Sequence, residues 1–128
     1  MRRCSATGCA NFACDPSGWH AEIDAWRDSY GEVVVDFPPS RARMIPACSR
    51  FYTAVTTGAL THDADARLAR HLANAVVKET ADGSYIVKER PSSPRRIDLA
   101  VASVIALDRA AWHHVNTAAP PLIAWSFV

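Results

Sequence analysis

Lysine is almost missing from this sequence: Lys78 and Lys88 are the only two, and every other basic residue is arginine. Basic and acidic residues nearly cancel, for a formal net charge of +1. Bulk charge alone therefore does not hold this chain to a polyanion, and any contact with nucleic acid must be local. Glycine is also scarce, and no Gly-Lys pair occurs, so the G-x-x-x-x-G-K-[ST] phosphate loop is absent and ATP binding by that route is excluded. The G-x-S-x-G nucleophile elbow and the G-x-G-x-x-G dinucleotide turn are missing too. No apolar run approaches the roughly 20 residues needed to span a bilayer, so no membrane association is expected. Met1-Arg2-Arg3-Cys4 is followed by no apolar stretch of signal-peptide type. The expectation is a cytosolic protein with reduced thiols. Among the cysteines there is no C-x-x-C pair. Cys4, Cys9, Cys14 and His20 cluster in sequence, but their spacing is a poor match to structural zinc, and Cys14 reads as a packing residue.

What is present is an ordinary globular composition, 49% hydrophobic and 21% charged over 128 residues, enough for one small domain with a core. Residues 1–10 show no period and read as irregular. Residues 11–14 read as a short strand stopped by Asp15-Pro16. Trp19, Ile23, Trp26 and Tyr30 fall on one helical stripe, with Ser17 as its N-cap and Gly31 just past its end. Val33, Val34 and Val35 form a β-branched run, expected as a strand buried on both faces and ended by Pro38-Pro39-Ser40. A helix is expected over residues 44–57, with Pro46 in its first turn, Cys48, Phe51, Tyr52 and Val55 inward, and Gly58 closing it. Asp63 or Asp65 caps a helix that turns Leu68 and Leu72 inward. Residues 75–77 and 84–87 read as strands about the turn Asp82-Gly83. Ser93-Pro94 supplies N-cap and first residue of a last helix, apolar nearly all round and hence buried. From Asn116 onward the chain reads as non-helical. This alternation argues an α/β sheet with helices on its faces.

Two carboxylates stand out. Asp98, just past the first turn of the last helix, shares a face with Val101, Ala102 and Ile105 and reads as half-buried. A carboxylate there needs donors or a cation: a divalent metal, Arg95 or Arg96. Its plain role is an acid favoured by the helix dipole. Asp15 ends a strand, where active-site acids of open α/β sheets project; its plain role is a turn residue before Pro16. Held together, the two would bind Mg²⁺ or Mn²⁺, which prefer hard oxygen ligands. His62, Asp63 and Asp65 read as capping residues, His71 as packed, and His113-His114 as a cation-suited helix end.

Several phrases, taken in order, resemble the C-terminal nuclease domain of phage terminase large subunits. They are Phe37-Pro38, residues 44–55 (MIPACSRFYTAV), 58–65 (GALTHDAD), 71–78 (HLANAVVK) and 93–106 (SPRRIDLAVASVIA). Ala13-Cys14-Asp15-Pro16 is similar to the family's YDP strand end, so the likeness spans about residues 11–109. The resemblance implies a partial RNase H-like nuclease fold at residues 11–114, between an irregular N-terminus (1–10) and an irregular tail (115–128). It implies a two-metal nuclease using Mg²⁺ or Mn²⁺ that cuts concatemeric viral DNA during packaging in the host cytoplasm. Asp15 matches the second of three acids and Asp98 the last. The partners it implies are double-stranded viral DNA, the terminase small subunit and the portal. The ATPase half and the first nuclease strand, with the first acid, are missing, and they are expected to reside in a separate chain or to be lost. Little or no cleavage is therefore expected from this chain alone. The alternatives are a non-catalytic prophage remnant or a small DNA-binding or interaction module. In the latter, Arg90, Arg95 and Arg96 would grip phosphate.

Overall fold

The computed structural model describes residues 11–117; the expectations for residues 1–10, including Cys4 and Cys9, and for 118–128 lie outside them. In chain order the elements are β1 (Phe12–Cys14), α1 (His20–Tyr30), a 3₁₀ turn (Gly31–Val33), β2 (Val34–Asp36), α2 (Arg41–Thr56), α3 (Ala66–Asn74), β3 (Val76–Thr80), β4 (Gly83–Val87) and α4 (Asp98–Thr117). The fold is mixed α/β, but the strands do not form the single sheet expected from their alternation. β1 and β2 pair in parallel, with α1 as the crossover between them, while β3 and β4 form a separate antiparallel hairpin.

The core lies where α2 packs on α4, with β4 against α2 and β1 against α4. Phe37, Met44, Ala47, Val104 and Ile105 are buried there, and Ala13, Cys48, Phe51, Tyr85, Ile86 and Val101 close around them. Along α4 and the residue just before it, the buried set Ile97, Ala100, Val104 and Ile105 keeps helical spacing, so α4 buries one stripe. Leu99, on another side, stays 38% exposed, and α4 is not apolar-packed all round as its composition suggested. Among the described residues no helix is long and apolar enough to cross a membrane.

Several boundaries differ from the expected ones, each for a local reason. Ser17 does not cap α1: its N–H donates to Asp15 Oδ1 at 3.0 Å, closing an Asx turn through Pro16, and the helix starts three residues later. Of the α1 stripe only Ile23 is buried, while Trp19 and Tyr30 are more than half exposed. The β1–β2 pair is too narrow to cover the whole helix; Trp26 meets Phe12 edge-on, with ring centroids 5.7 Å apart. Val33 is drawn into the 3₁₀ turn, so β2 shifts one residue; Val34 is buried, but Val35 is only half-buried, not enclosed on both faces. α2 begins at Arg41 rather than near Met44, which moves Pro46 out of the first turn. Its inner face is Met44, Ala47, Cys48 and Phe51; Tyr52 and Val55 point to solvent. At its end Ala59 N–H bonds Ala54 C=O and Gly58 N–H bonds Val55 C=O, a Schellman closure that Gly58 permits at φ 69°. Asp65 caps α3 by accepting Arg67 N–H, and the Arg67 guanidinium holds its carboxyl well below the usual carboxylate range. Of the two leucines expected inward on α3, Leu68 is half-buried and Leu72 39% exposed. α4 begins at Asp98, not at Pro94: Ser93 Oγ accepts the Arg95 N–H in a turn, and the helix starts four residues beyond Pro94, where His71 accepts the Leu99 N–H. It runs through Thr117, so the segment expected to be irregular from residue 115 starts as helix.

Candidate functional site

A groove of about 1180 Å³ is lined by residues of β1, β4 and α4, together with Met44 of α2. Asp15 and Asp98, distant in sequence, both line it. β1 delivers Asp15 just past its C-terminal end, and the Asx turn to Ser17 fixes the carboxylate by engaging Oδ1. Asp98 is the first residue of α4, where the helix dipole favours negative charge. Val101, Ala102 and Ile105 line the groove beside it, as their shared face implied. Asp98 itself is exposed rather than half-buried, because α4 starts at this residue and leaves it at the helix mouth.

α3 sets the position of that mouth. His71 Nδ1 accepts the Leu99 N–H at 3.0 Å, so an imidazole from another helix supplies the cap that Ser93 was expected to give. Since a backbone amide only donates, Nδ1 is the unprotonated nitrogen and the ring proton sits on Nε2. Asn74 Nδ2 donates to Arg96 C=O at 3.0 Å and ties down the approach to α4. His71 is thus packed, as its sequence context indicated, and also capping, which no spacing within one helix reveals. Substituting His71 with leucine is expected to destabilise the fold by about 1 kcal/mol and to speed exchange of the Leu99 amide. His71→Asn, whose Oδ1 can stand near the place of Nδ1, should lose less. Urea unfolding and amide exchange check both variants.

The arginines expected beside Asp98 do not join it in the groove. Arg90, Arg95 and Arg96 are exposed on the connection between β4 and α4, and Arg95 reaches Glu89 at 3.9 Å. The groove's basic residues are instead Lys88 and Arg109. Arg109 donates from Nε and Nη2 to Asn11 Oδ1 at 3.0 and 2.7 Å, and its guanidinium lies 4.2 Å from the Trp112 ring centroid. Lys88 carried a sequence signal, as one of two lysines and directly after a strand; Arg109 carried none. His113 and His114 line the groove where α4 nears its end.

Within the described residues Asp15 and Asp98 share the groove without a third ligand beside them. Exposed carboxylates carry hard oxygens of the kind that hydrated divalent ions accept. Among the described residues no three of His, Cys, Asp and Glu converge to hold a metal, so a two-ion site is not formed by them. The thiols do not add to it. Burial pushes the Cys14 thiol up, with the Asp36 charge adding and Arg27 opposing, and burial raises Cys48 against a backbone bond from Ile86. Both are protonated at neutral pH and poor as ligands or nucleophiles. His62 and Asp63 accept the amides of Ala64 and Asp65, a turn and capping arrangement.

Comparison with protein families, curated proteins and solved structures finds no match to this chain.

Proposed function

We propose that this chain is the C-terminal part of a terminase large subunit's nuclease domain, a partial RNase H-like fold whose metal site lacks its first acid. One observation carries the reading: an acid ending a strand and an acid opening the last helix line one groove. The parallel β1–α1–β2 unit that presents Asp15 is consistent with it. In this reading Asp15 and Asp98 hold Mg²⁺ or Mn²⁺. The ion, when bound, supplies Lewis-acid chemistry at a DNA phosphate. The chain's own contribution is to fix the two carboxylates, through the Asx turn and the α4 start, and to present positive charge. Lys88 lies in the groove, and Arg90, Arg95 and Arg96 stand beyond it, where they would meet the DNA backbone. The intact assembly would engage double-stranded viral DNA, the small subunit and the portal in the host cytoplasm.

With two acids in place of three, the chain alone is expected to nick supercoiled plasmid in Mn²⁺ no faster than buffer. Robust cleavage that Asp98→Ala abolishes would overturn the claim of an incomplete site. A second reading, a non-catalytic DNA-binding module, is favoured by the exposure of Arg90, Arg95 and Arg96. Binding to duplex DNA that weakens steeply with salt, is insensitive to Mn²⁺, and is lost in the triple alanine variant would support it over the first.

A further inference from the structure

The start of α1 carries aromatic surface that the core does not take up. Trp19, Ile23 and Trp26 fall at i, i+4 and i+7 on one helical face. Ile23 is buried, whereas both indoles are exposed. Local turns hold Trp19 close to Asp15: Ser17 N–H donates to Asp15 Oδ1, and Trp19 N–H donates to Pro16 C=O at 3.2 Å. Phe12 meets Trp26 edge-on and supports the second indole. Cys14, Asp15, Ser17, Trp19, Ile23 and Trp26 line a pocket of about 330 Å³, which shares only Asp15 with the larger groove.

The charge around this pocket is one-sided. Asp15, Glu22, Asp24, Asp28, Glu32 and Asp36 are all exposed, and residues 15–36 hold one arginine and no lysine against them. That is a formal −5 on a chain whose total is +1. The one arginine, Arg27, is already held by Asp24 and Asp36 at 3.0 and 2.8 Å. An exposed indole face attracts a cation through its ring quadrupole, and a carboxylate beside it adds a charged acceptor.

We propose that this pocket takes the lysine side chain of a basic protein segment, with its ammonium against Trp19 and Trp26 and paired to Asp15. This inference does not rest on the nuclease reading. Lysine fits better than arginine because Asp15 Oδ1 already accepts the Ser17 N–H. A point-charge ammonium needs one oxygen, whereas the guanidinium fork pairs with two. The apolar stem of the lysine lies along the ring surfaces. A protein segment suits the site better than a membrane, since the acids around the pocket repel anionic lipid. Further basic residues of the same segment would meet Glu22, Asp24 and Asp28 along α1.

¹⁵N spectra of the full chain titrated with the peptide tri-lysine test this. The indole N–H signals of Trp19 and Trp26 should shift together and saturate. Tri-lysine acetylated at every side chain keeps the stems without the charges and should bind ~10-fold more weakly. Trp19→Leu keeps apolar bulk without a π face and should weaken binding ~3-fold. Tyr52→Leu, at an exposed aromatic of α2, should leave binding unchanged. Equal binding of the acetylated peptide, an unchanged affinity in Trp19→Leu, or no saturable shift of the two indoles would overturn the proposal. So would shifts produced by phosphatidylcholine vesicles and not by tri-lysine, which assign the pocket to a lipid headgroup.

Discussion

Phe37→Ala is expected to remove most of the fold's stability at room temperature. Phe37 is 3% exposed and directly follows β2, where its N–H bonds Cys14 C=O at 2.7 Å and continues the β1–β2 ladder. Its ring sits in the cluster with Met44, Ala47, Val104 and Ile105, so it joins the parallel strand pair to both long helices. Emptying such a site removes the transfer free energy of the ring and leaves a cavity, together about 3–5 kcal/mol. Domains of this size are stable by only about 5–15 kcal/mol in total. Two small sheets and an α1 whose aromatics are mostly exposed place this one toward the lower end. Urea unfolding should show the midpoint collapsing. Arg43→Ala removes only the exposed guanidinium stacked 5.3 Å from the same ring and should shift the midpoint slightly. A Phe37→Ala loss below about 1 kcal/mol would mean that β1 and β2 are not built into the core through this residue.

The next largest effect is expected at the tip of the hairpin. Gly83 adopts φ 132°, a conformation L side chains rarely take, and a Cβ there would lie 2.7 Å from Ile45 Cγ2. Ile45 is β-branched on α2 and has little freedom to move that methyl. Gly83→Ala should therefore destabilise by about 1–3 kcal/mol from overpacking, with backbone strain added. Asp82→Ala, one residue earlier, removes the exposed ion pair with Arg41 and should change stability by less than about 1 kcal/mol. Equal effects at the two positions would show that the hairpin does not press on α2 at this point.

The elements that could be read from the sequence were those with strong local signals. Gly58 and Asp65 mark ends that the structure keeps, because each satisfies backbone groups within a few residues, whereas the hairpin turn expected at Asp82-Gly83 falls at Ala81-Asp82, with Gly83 already paired to Thr80 in β4. Where a distant residue decides, the local signal misled. Ser93-Pro94 has good helix-start chemistry, yet His71 on α3 caps α4 and moves its start to Asp98. The α1 aromatics keep helical spacing, but burial needs a partner surface, and the β1–β2 pair covers only Ile23 fully. Asp15 and Asp98 were legible as candidates because each sits at an element end. Their sharing of a groove depends on how α4 packs on β1, which no pattern within either segment encodes. The same limit explains the arginines: Arg95 and Arg96 neighbour Asp98 in sequence, but the chain turns between them and the helix, and Lys88 and Arg109 face the groove instead.

The claim on which the proposed function rests is that Asp15 and Asp98 act on one cation. Titrating ¹⁵N-labelled chain with Mn²⁺ tests it directly, since the bound paramagnetic ion broadens the amide signals nearest to it. The account predicts that signals around Asp15 and around Asp98 broaden together at the same Mn²⁺ concentration, and that Asp98→Asn weakens the broadening at both. Broadening confined to one of them, or centred on Asp63 and Asp65 instead, would contradict it.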